Sequence, residues 1–392
     1  MVTLLVESFW DQHLTDTGLL AIALVALAGT SAWLAILAWR HRRNLRAVPL
    51  RIHVAGTRGK STTTRLIAAG LRAGGHRVMA KATGSRPRLI LPDGSDEVWP
   101  RRGPASIREQ AKFFARAAQL GADAAVVECM AIRSELIWAS EVHFVQAHTA
   151  VITNARADHS EEIGDRPEAM LESLQWVVPS GGRLVVAAEA ATPALRSHAA
   201  SRGATLVVVE TAGLDPLAAN RALALEVCAA HGVAASIAGP AMDRAAGAPG
   251  AFSEHDIEIG GKSVRFANAF ACNDVDSLAR LWATRRHDAA PVVILNARRD
   301  RPLRTKHFID FFAAQKPAPV LYVVGDRLAL SLARRAGFVA GAVRWLRVRT
   351  PKVALAELAG QAKDGGMIWG VGNYQGFGAR LVDELAAQHP AC

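Results

Sequence analysis

From Gly18 to Trp39 the chain reads GLLAIALVALAGTSAWLAILAW, about 22 residues without a charge. Wound as a helix, such a run is about 33 Å long, and a hydrocarbon core takes roughly 20 residues. Its flanks are unequal. Glu7, Asp11 and Asp16 precede it, whereas Arg40, Arg42, Arg43 and Arg46 follow. The basic side stays in the cytoplasm, and an acidic leader does not suit a cleaved signal peptide. The pattern predicts residues 1–46 as a single-pass anchor of the cytoplasmic membrane, its helix at about 18–39, followed by a basic juxtamembrane segment. Everything after it is expected on the cytoplasmic side.

Beyond the anchor, short apolar runs alternate with amphipathic stretches. RIHVAG, HRVMAKATG, DAAVVECM, TAVITNA, GRLVVAA and ATLVVVE read as strands, and STTTRLIAAGLRAGG and SIREQAKFFARAAQLGA as helices. Strand and helix in alternation give a mostly parallel sheet covered on both faces. Residues 47–238 are expected as one nucleotide-type α/β domain. Residues 239–251, rich in Gly, Pro and Ala, read as a linker. DIEIGGKSVRFANAF then predicts a hairpin across Gly260–Gly261, and PVVILNARRD, PVLYVVGD and GMIWGVGN are strands of a second α/β domain, 252–392.

Composition narrows the function classes. Apolar residues make up 51 % of the chain and charged ones 21 %, which excludes a disordered chain. Cys129, Cys228, Cys272 and Cys392 form no CxxC pair, so neither a disulfide scaffold nor a zinc ribbon is expected. The net charge of +11 points to an anionic partner. Part of the excess is the juxtamembrane cluster, which suits anionic inner-leaflet lipid. The rest is dispersed arginine without a nucleic-acid signature, so no nucleic-acid partner is expected.

The chemistry-bearing residues gather at strand ends. Gly56-Thr57-Arg58-Gly59-Lys60-Ser61 follows a strand and opens a helix, the context a P-loop requires. Its backbone N–H groups face an anion, Lys60 brings charge to the outer phosphates, and the Ser61 hydroxyl can ligate Mg²⁺, with Thr62 beside it. Val54 stands where the long Walker pattern has its first glycine, so this is the shorter GTxGKS form. Glu128 ends a strand, where a carboxylate can hold a magnesium ion. Asn154, Asp158 and His159 follow another strand and are expected at the same sheet edge, with His159 a candidate for a second metal or for phosphate. His53, His76, His143 and His148 lack such company and read as structural or surface residues. Asn273, Arg298 and Arg301 stand at strand ends of the second domain, where open α/β sheets bind ligands.

These motifs in this order resemble the Mur-ligase superfamily, and within it the membrane-associated poly-γ-glutamate synthase branch of capsule-biosynthesis ligases. The matching segments are GTRGKSTTTRLI, KATGSRPRLI, VVECMAI, TNARADHSEEIGD, NAFACNDVDS, LNARRDR and GVGNYQGFGARLV. The resemblance implies a central ATPase domain and a Rossmann-like C-terminal domain. It implies an ATP-dependent amide ligase that activates a carboxylate as an acyl phosphate and joins glutamate to a growing anionic polyglutamate chain, assisted by small membrane subunits. ATP and Mg²⁺ are the implied cofactors. Lys60, Glu128 and His159 would be catalytic, and Ser61, Glu128 and His159 metal ligands. Gly56, Thr57, Arg58, Gly59, Lys60, Ser61, Thr62, Asn154, Asn273, Arg298 and Arg301 would bind the nucleotide. Two departures stand out. Many Mur ligases carry a carbamylated lysine shortly after the Asp-His pair, and Arg166–Gly182 contains no lysine. The substrate domain expected before the P-loop is replaced by the apolar helix, which argues against a UDP-linked precursor. Two alternatives stay open on the residues: a membrane-tethered ligase for another amino acid or acceptor, and a nucleotide switch without ligase chemistry.

Overall fold

The computed structural model describes residues 16–83, 87–101, 103, 105–156, 166, 168–245, 252–270, 272, 275–285, 290–347 and 350–388. The chain forms two units, Met1–Ala246 and Gly247–Cys392.

The apolar run forms helix α1 (Asp16–Ala47), long and apolar enough to cross a membrane. It is exposed from Leu19 through Arg40; Val25 is 73 % and Trp39 61 % accessible. Its last turns behave differently. Leu45 is buried, as is Val48 just after the helix, and both pack in one cluster with Phe113 and Phe114. The His41 imidazole meets the Phe144 carbonyl at 3.0 Å. Arg51 braces this junction. Its guanidinium donates to the carbonyls of Leu45 at 3.1 Å and Val48 at 3.0 Å, and to those of Val145 and Gln146 at 3.0 Å each. The helix is therefore joined to the first unit without a spacer.

The first unit is built on an eight-stranded sheet. Its strands are β1 (Leu50–Ala55), β2 (Val78–Ala82), β3 (Arg88–Ile90), β4 (Asp96–Val98), β5 (Ala124–Glu128), β6 (Thr149–Ile152), β7 (Arg183–Ala187) and β8 (Thr205–Val209), in the order β4-β3-β2-β5-β1-β6-β7-β8. β3 runs antiparallel to both its neighbours, β2 and β4, and all other pairings are parallel. The central strands are apolar without alternation because both faces are covered. One face carries α2 (Lys60–Ala73), α7 (Pro216–Ala230) and α8 (Ala235–Ala245), packed through Leu66, Ile67, Leu223, Val227 and Met242. On the other face α3 (Glu109–Gln119) buries Phe113 and Phe114. There too lie α4 (Ser134–Ala139), α5 (Ala169–Leu174) and α6 (Pro193–Ser201), which contribute Ile137, Met170 and Leu195.

The expected linker at 239–251 does not begin where its composition suggests. Residues through Ala245 belong to α8, with Pro240 inside the helix. Small residues there serve contact between helices. A Cβ at Gly70 of α2 would meet Cys228 Sγ at 2.6 Å, Met242 Cε at 2.8 Å and Ala238 Cβ at 3.1 Å. An interior proline costs about 3 kcal/mol, offset here by full burial of Ala238 and Met242.

The second unit holds a six-stranded sheet of β9 (Ser253–Ile259), β10 (Lys262–Asn268), β11 (Val292–Asn296), β12 (Val320–Val324), β13 (Val343–Trp345) and β14 (Met367–Gly372), in the order β13-β12-β11-β14-β10-β9. β9 and β10 are the hairpin across Gly260–Gly261, and β10 to β13 run parallel with β14. Helices α9 (Val275–Ala283), α10 (Pro302–Ala313), α11 (Arg327–Arg335), α12 (Pro351–Gln361) and α13 (Phe377–Gln388) complete the unit. Separate apolar clusters fill the two faces of the sheet.

Two buried ionic groups brace the first unit. Lys81 is fully buried and donates to Glu109 at 2.8 Å, and Arg101 reaches the same carboxylate. Burial pulls the Lys81 ammonium down to about 8, against the pull of Glu109. His53, also fully buried, meets Glu141 at 2.8 Å. Burial lowers its affinity for a proton, but the Cys129 sulfur and the Glu141 carboxylate raise it by more, to about 10.

Two outcomes follow from this architecture. A chain starting at Arg40 should remain folded, whereas one starting at Leu50, which strips Leu45 and Val48 from the α3 cluster, should melt several degrees lower; equal melting temperatures would disprove the join. The His53–Glu141 pair contributes fully below the free imidazole value of 6.5 and is lost as pH rises toward about 10. Thermal melts of the protein and of Glu141→Gln should therefore converge between about pH 6.5 and 10, and a pH-independent gap would contradict the pairing.

Candidate functional site

β1 ends at Ala55 and α2 begins at Lys60, so Gly56–Gly59 form the whole connection. Gly56 has φ 130° and Gly59 φ 80°, in the region where side chains are strained. Space forbids a side chain as well. A Cβ on Gly56 would lie 2.1 Å from Thr153 Oγ1, and one on Gly59 2.2 Å from Asn220 Oδ1. The turn is thus pressed between the loop after β6 and helix α7.

The neighbouring loop holds the turn by hydrogen bonds. Asn154 Oδ1 accepts from the Thr57 hydroxyl at 2.5 Å and the Arg58 amide at 3.1 Å, while its Nδ2 donates to the Arg58 carbonyl at 3.0 Å. The Thr57 amide donates to the Asn154 carbonyl at 3.1 Å, and Thr153 Oγ1 donates to the Arg58 carbonyl at 2.6 Å. Asn154 therefore spends its amide on shaping the loop.

Inside the turn, Lys60 Nζ donates to the Gly56 carbonyl at 2.6 Å and the Thr57 carbonyl at 3.2 Å. On the first turn of α2, Ser61 Oγ donates to Glu128 Oε2 at 2.7 Å, with Thr62 half-buried beside it. Glu128 ends β5, is 3 % accessible, and accepts a second bond, from the Thr83 amide at 2.5 Å. One carboxylate thus ties β5, α2 and the end of β2 together at the carboxyl edge of the sheet. A hydroxyl and a carboxylate side by side are the hard oxygen donors a small divalent cation takes. No cluster of three or more His, Cys, Asp or Glu appears among the described residues.

The sequence expectation gathers in part. Gly56, Thr57, Arg58, Gly59, Lys60, Ser61, Thr62, Glu128 and Asn154 meet at one edge of the first sheet. Asp158, His159 and Asn273 lie outside the described residues. In the second unit, Arg298 makes a two-point pair with Asp300, at 2.9 and 2.5 Å, and also reaches Gln375. Arg301 stands at the start of α10. Sequence reasoning missed Asn220 and Thr83. Their contacts come from tertiary packing, and no local pattern announces them.

Gly59→Ala should disturb the turn twice, through positive φ at roughly 1–2 kcal/mol and through collision with Asn220 at about 1–3 kcal/mol. Adding Asn220→Ala should recover the steric part and leave the backbone part. Urea titrations of Gly59→Ala, Asn220→Ala and the double variant check this; no recovery would show that Asn220 does not set the limit.

Two family models match the chain. The Mur ligase middle domain matches residues 54–222, and the poly-gamma-glutamate synthase CapB C-terminal domain matches residues 255–388. Among curated proteins, the PGA synthase CapB of Bacillus subtilis (strain 168) is 27 % identical over 364 residues, covering 88 % of this chain and 92 % of its own length. Among solved structures, E. coli FolC in complex with ADP superposes with a TM-score of 0.63 at 16 % identity, covering 92 % of this chain and 98 % of that one. A bifunctional folylpolyglutamate synthase/dihydrofolate synthase with Mn, AMPPNP and L-glutamate bound gives 0.61 at 19 %, with the same coverage. The structural likenesses establish the fold, and the two models fall one on each unit. The chain belongs to the Mur-ligase superfamily of ATP-dependent amide ligases, in its CapB poly-γ-glutamate synthase branch.

Proposed function

We propose that this protein activates a carboxylate as an acyl phosphate and joins glutamate units into poly-γ-glutamate at the cytoplasmic face of the membrane. The observation that carries the reading is the pair of oxygens, Ser61 Oγ and Glu128 Oε2, 2.7 Å apart at the mouth of the glycine turn. Both are hard oxygen donors, which would suit Mg²⁺. Bound there, the metal would neutralise charge on the transferring phosphoryl group.

The chain's own residues supply the remainder. The N-terminus of α2 presents backbone N–H groups to the phosphates, Lys60 adds its ammonium, and Asn154 with Thr153 keeps the turn in shape. His159 is assigned to a second metal, and Asn273, Arg298 and Arg301 to the nucleotide or substrate side. A carboxylate oxygen attacks the γ-phosphorus and ADP leaves; an amine nitrogen then attacks the acyl carbon, and phosphate and a proton leave. Glutamate as substrate is supported by the PGA synthase relative and by the neighbour that holds AMPPNP, Mn and L-glutamate. Helix α1 and the arginines after it support a place on anionic inner-leaflet lipid, where small membrane subunits of a polymer synthase would join it.

Phosphate release by the membrane-embedded protein with ATP and Mg²⁺ tests the reading. Glutamate should stimulate turnover and yield ADP with an amide-linked product, and Lys60→Ala should lower the rate by about a hundredfold or more. Turnover indifferent to glutamate, with the membrane subunits supplied, would refute the polyglutamate assignment.

A further inference from the structure

The second unit carries a cleft of about 830 Å³ at the carboxyl ends of β11, β12, β13 and the loop after β14. This is where the strand order reverses, the usual crevice of an open α/β sheet. The loops that wall it are stapled. Asn296 Nδ2 donates to the carbonyls of Asn373 and Gln375, and the Asn373 amide returns a bond to the Asn296 carbonyl at 2.9 Å. Gly325 and Gly372 allow the close approach, since a Cβ would lie 2.1 Å from the Ala297 carbonyl and 2.6 Å from the Asn296 carbonyl respectively.

The charge of this cleft is lopsided. Arg298, Arg299, Arg347 and Arg380 line it, against Asp300 as its one lining carboxylate among the described residues. Arg299 is 87 % exposed, and its contact with Asp326 is long, at 3.8 Å. Arg347 and Arg380 are exposed as well. The four guanidinium groups come from three separate segments. They form a spread set of points, unlike the single tight anion cradle that the glycine turn and Lys60 make in the first unit. Guanidinium forks match carboxylates in two-point geometry, and Arg298 already holds Asp300 that way. A γ-linked glutamate chain leaves one free carboxylate on every residue.

We propose that this arginine cleft grips the growing chain by its carboxylates, with Arg299, Arg347 and Arg380 each taking a different one while Arg298 stays with Asp300. The proposal rests on the ligase reading for the identity of the chain. Separate weak contacts on one molecule add through effective concentration, so the grip strengthens with chain length. Single glutamate, with only two carboxylates, gains little from it. The cleft thereby favours extension of a chain already held over the start of a new one.

The test is direct binding of a fluorescent γ-linked glutamate decamer to the full chain in lipid nanodiscs. Affinity should exceed that of a labelled dimer by tenfold or more, fall steeply with salt, and drop about fivefold or more in Arg299→Gln/Arg347→Gln. Arg347→Lys should lose less than Arg347→Gln, because it keeps the charge and loses only the fork. Melting temperatures within a degree of the parent show that the exposed substitutions leave the fold intact. Equal affinity for dimer and decamer, or for parent and double variant, overturns the proposal. So does displacement of the decamer by ATP in the Lys60→Ala background, which would make the cleft a nucleotide site. If arginine-dependent decamer binding persists while glutamate fails to stimulate ATP turnover, the ligase reading falls and the cleft stands. If turnover is glutamate-stimulated while the double variant binds the decamer normally, the cleft alone falls.

Discussion

The Glu128 carboxylate is the constraint around which the first unit is arranged. A buried carboxylate is costly unless its oxygens are satisfied, and Glu128 is nearly buried at the end of the strand next to β1. Its partners are fixed by the fold: the hydroxyl that opens α2 and the amide that follows β2. Two connections that leave the sheet on either side of β5 must therefore return to one atom. The register of β1 on β5, with Val54 beside Glu128, brings the glycine turn alongside. The same geometry that satisfies the carboxylate sets a hydroxyl beside it, so the contact that stabilises the strand ends is also the one on which the proposed metal site rests.

Much of the fold is legible in the residues because parallel strands buried on both faces are continuous apolar runs. VVILN and LYVV are buried almost throughout. The parts that escape notice have physical reasons. Helix α8 hides because Gly, Pro and Ala serve both flexible connections and tight helix contacts, and only the partner surface decides which. The hairpin of β3 and β4 carries a Pro92-Asp93-Gly94 turn, yet its strands are three residues each, too short to show a period. The π-helical turn at Ser140–Val145, which aims Glu141 at His53, has no signature in the chain.

The site divides in the same way. Lys60, Ser61 and Glu128 are legible because each sits at a strand end or a helix start, positions that local pattern locates. Asn154 reaches its expected place, and its amide points back into the glycine turn, a contact that no local pattern announces. Asn220 sits more than 150 positions after Gly59 and limits it sterically. Lys81 opens one of the segments that match the family, and it lies fully buried against Glu109. Distance along the chain, more than residue type, separates what the pattern reveals from what folding adds.

The spacer-free junction between α1 and β1 has a mechanical meaning. Only Val48 and Pro49 separate the end of the helix from the start of the strand, and Arg51 clamps across the gap. β1 then runs six residues, about 20 Å, to the glycine turn. The helix acts as a shaft and not as a leash. Rotation or tilt of α1 carries the carboxyl edge of the sheet with it, so whatever orients the helix also orients the first unit. A neighbour that grips the helix can thereby point this edge without touching it.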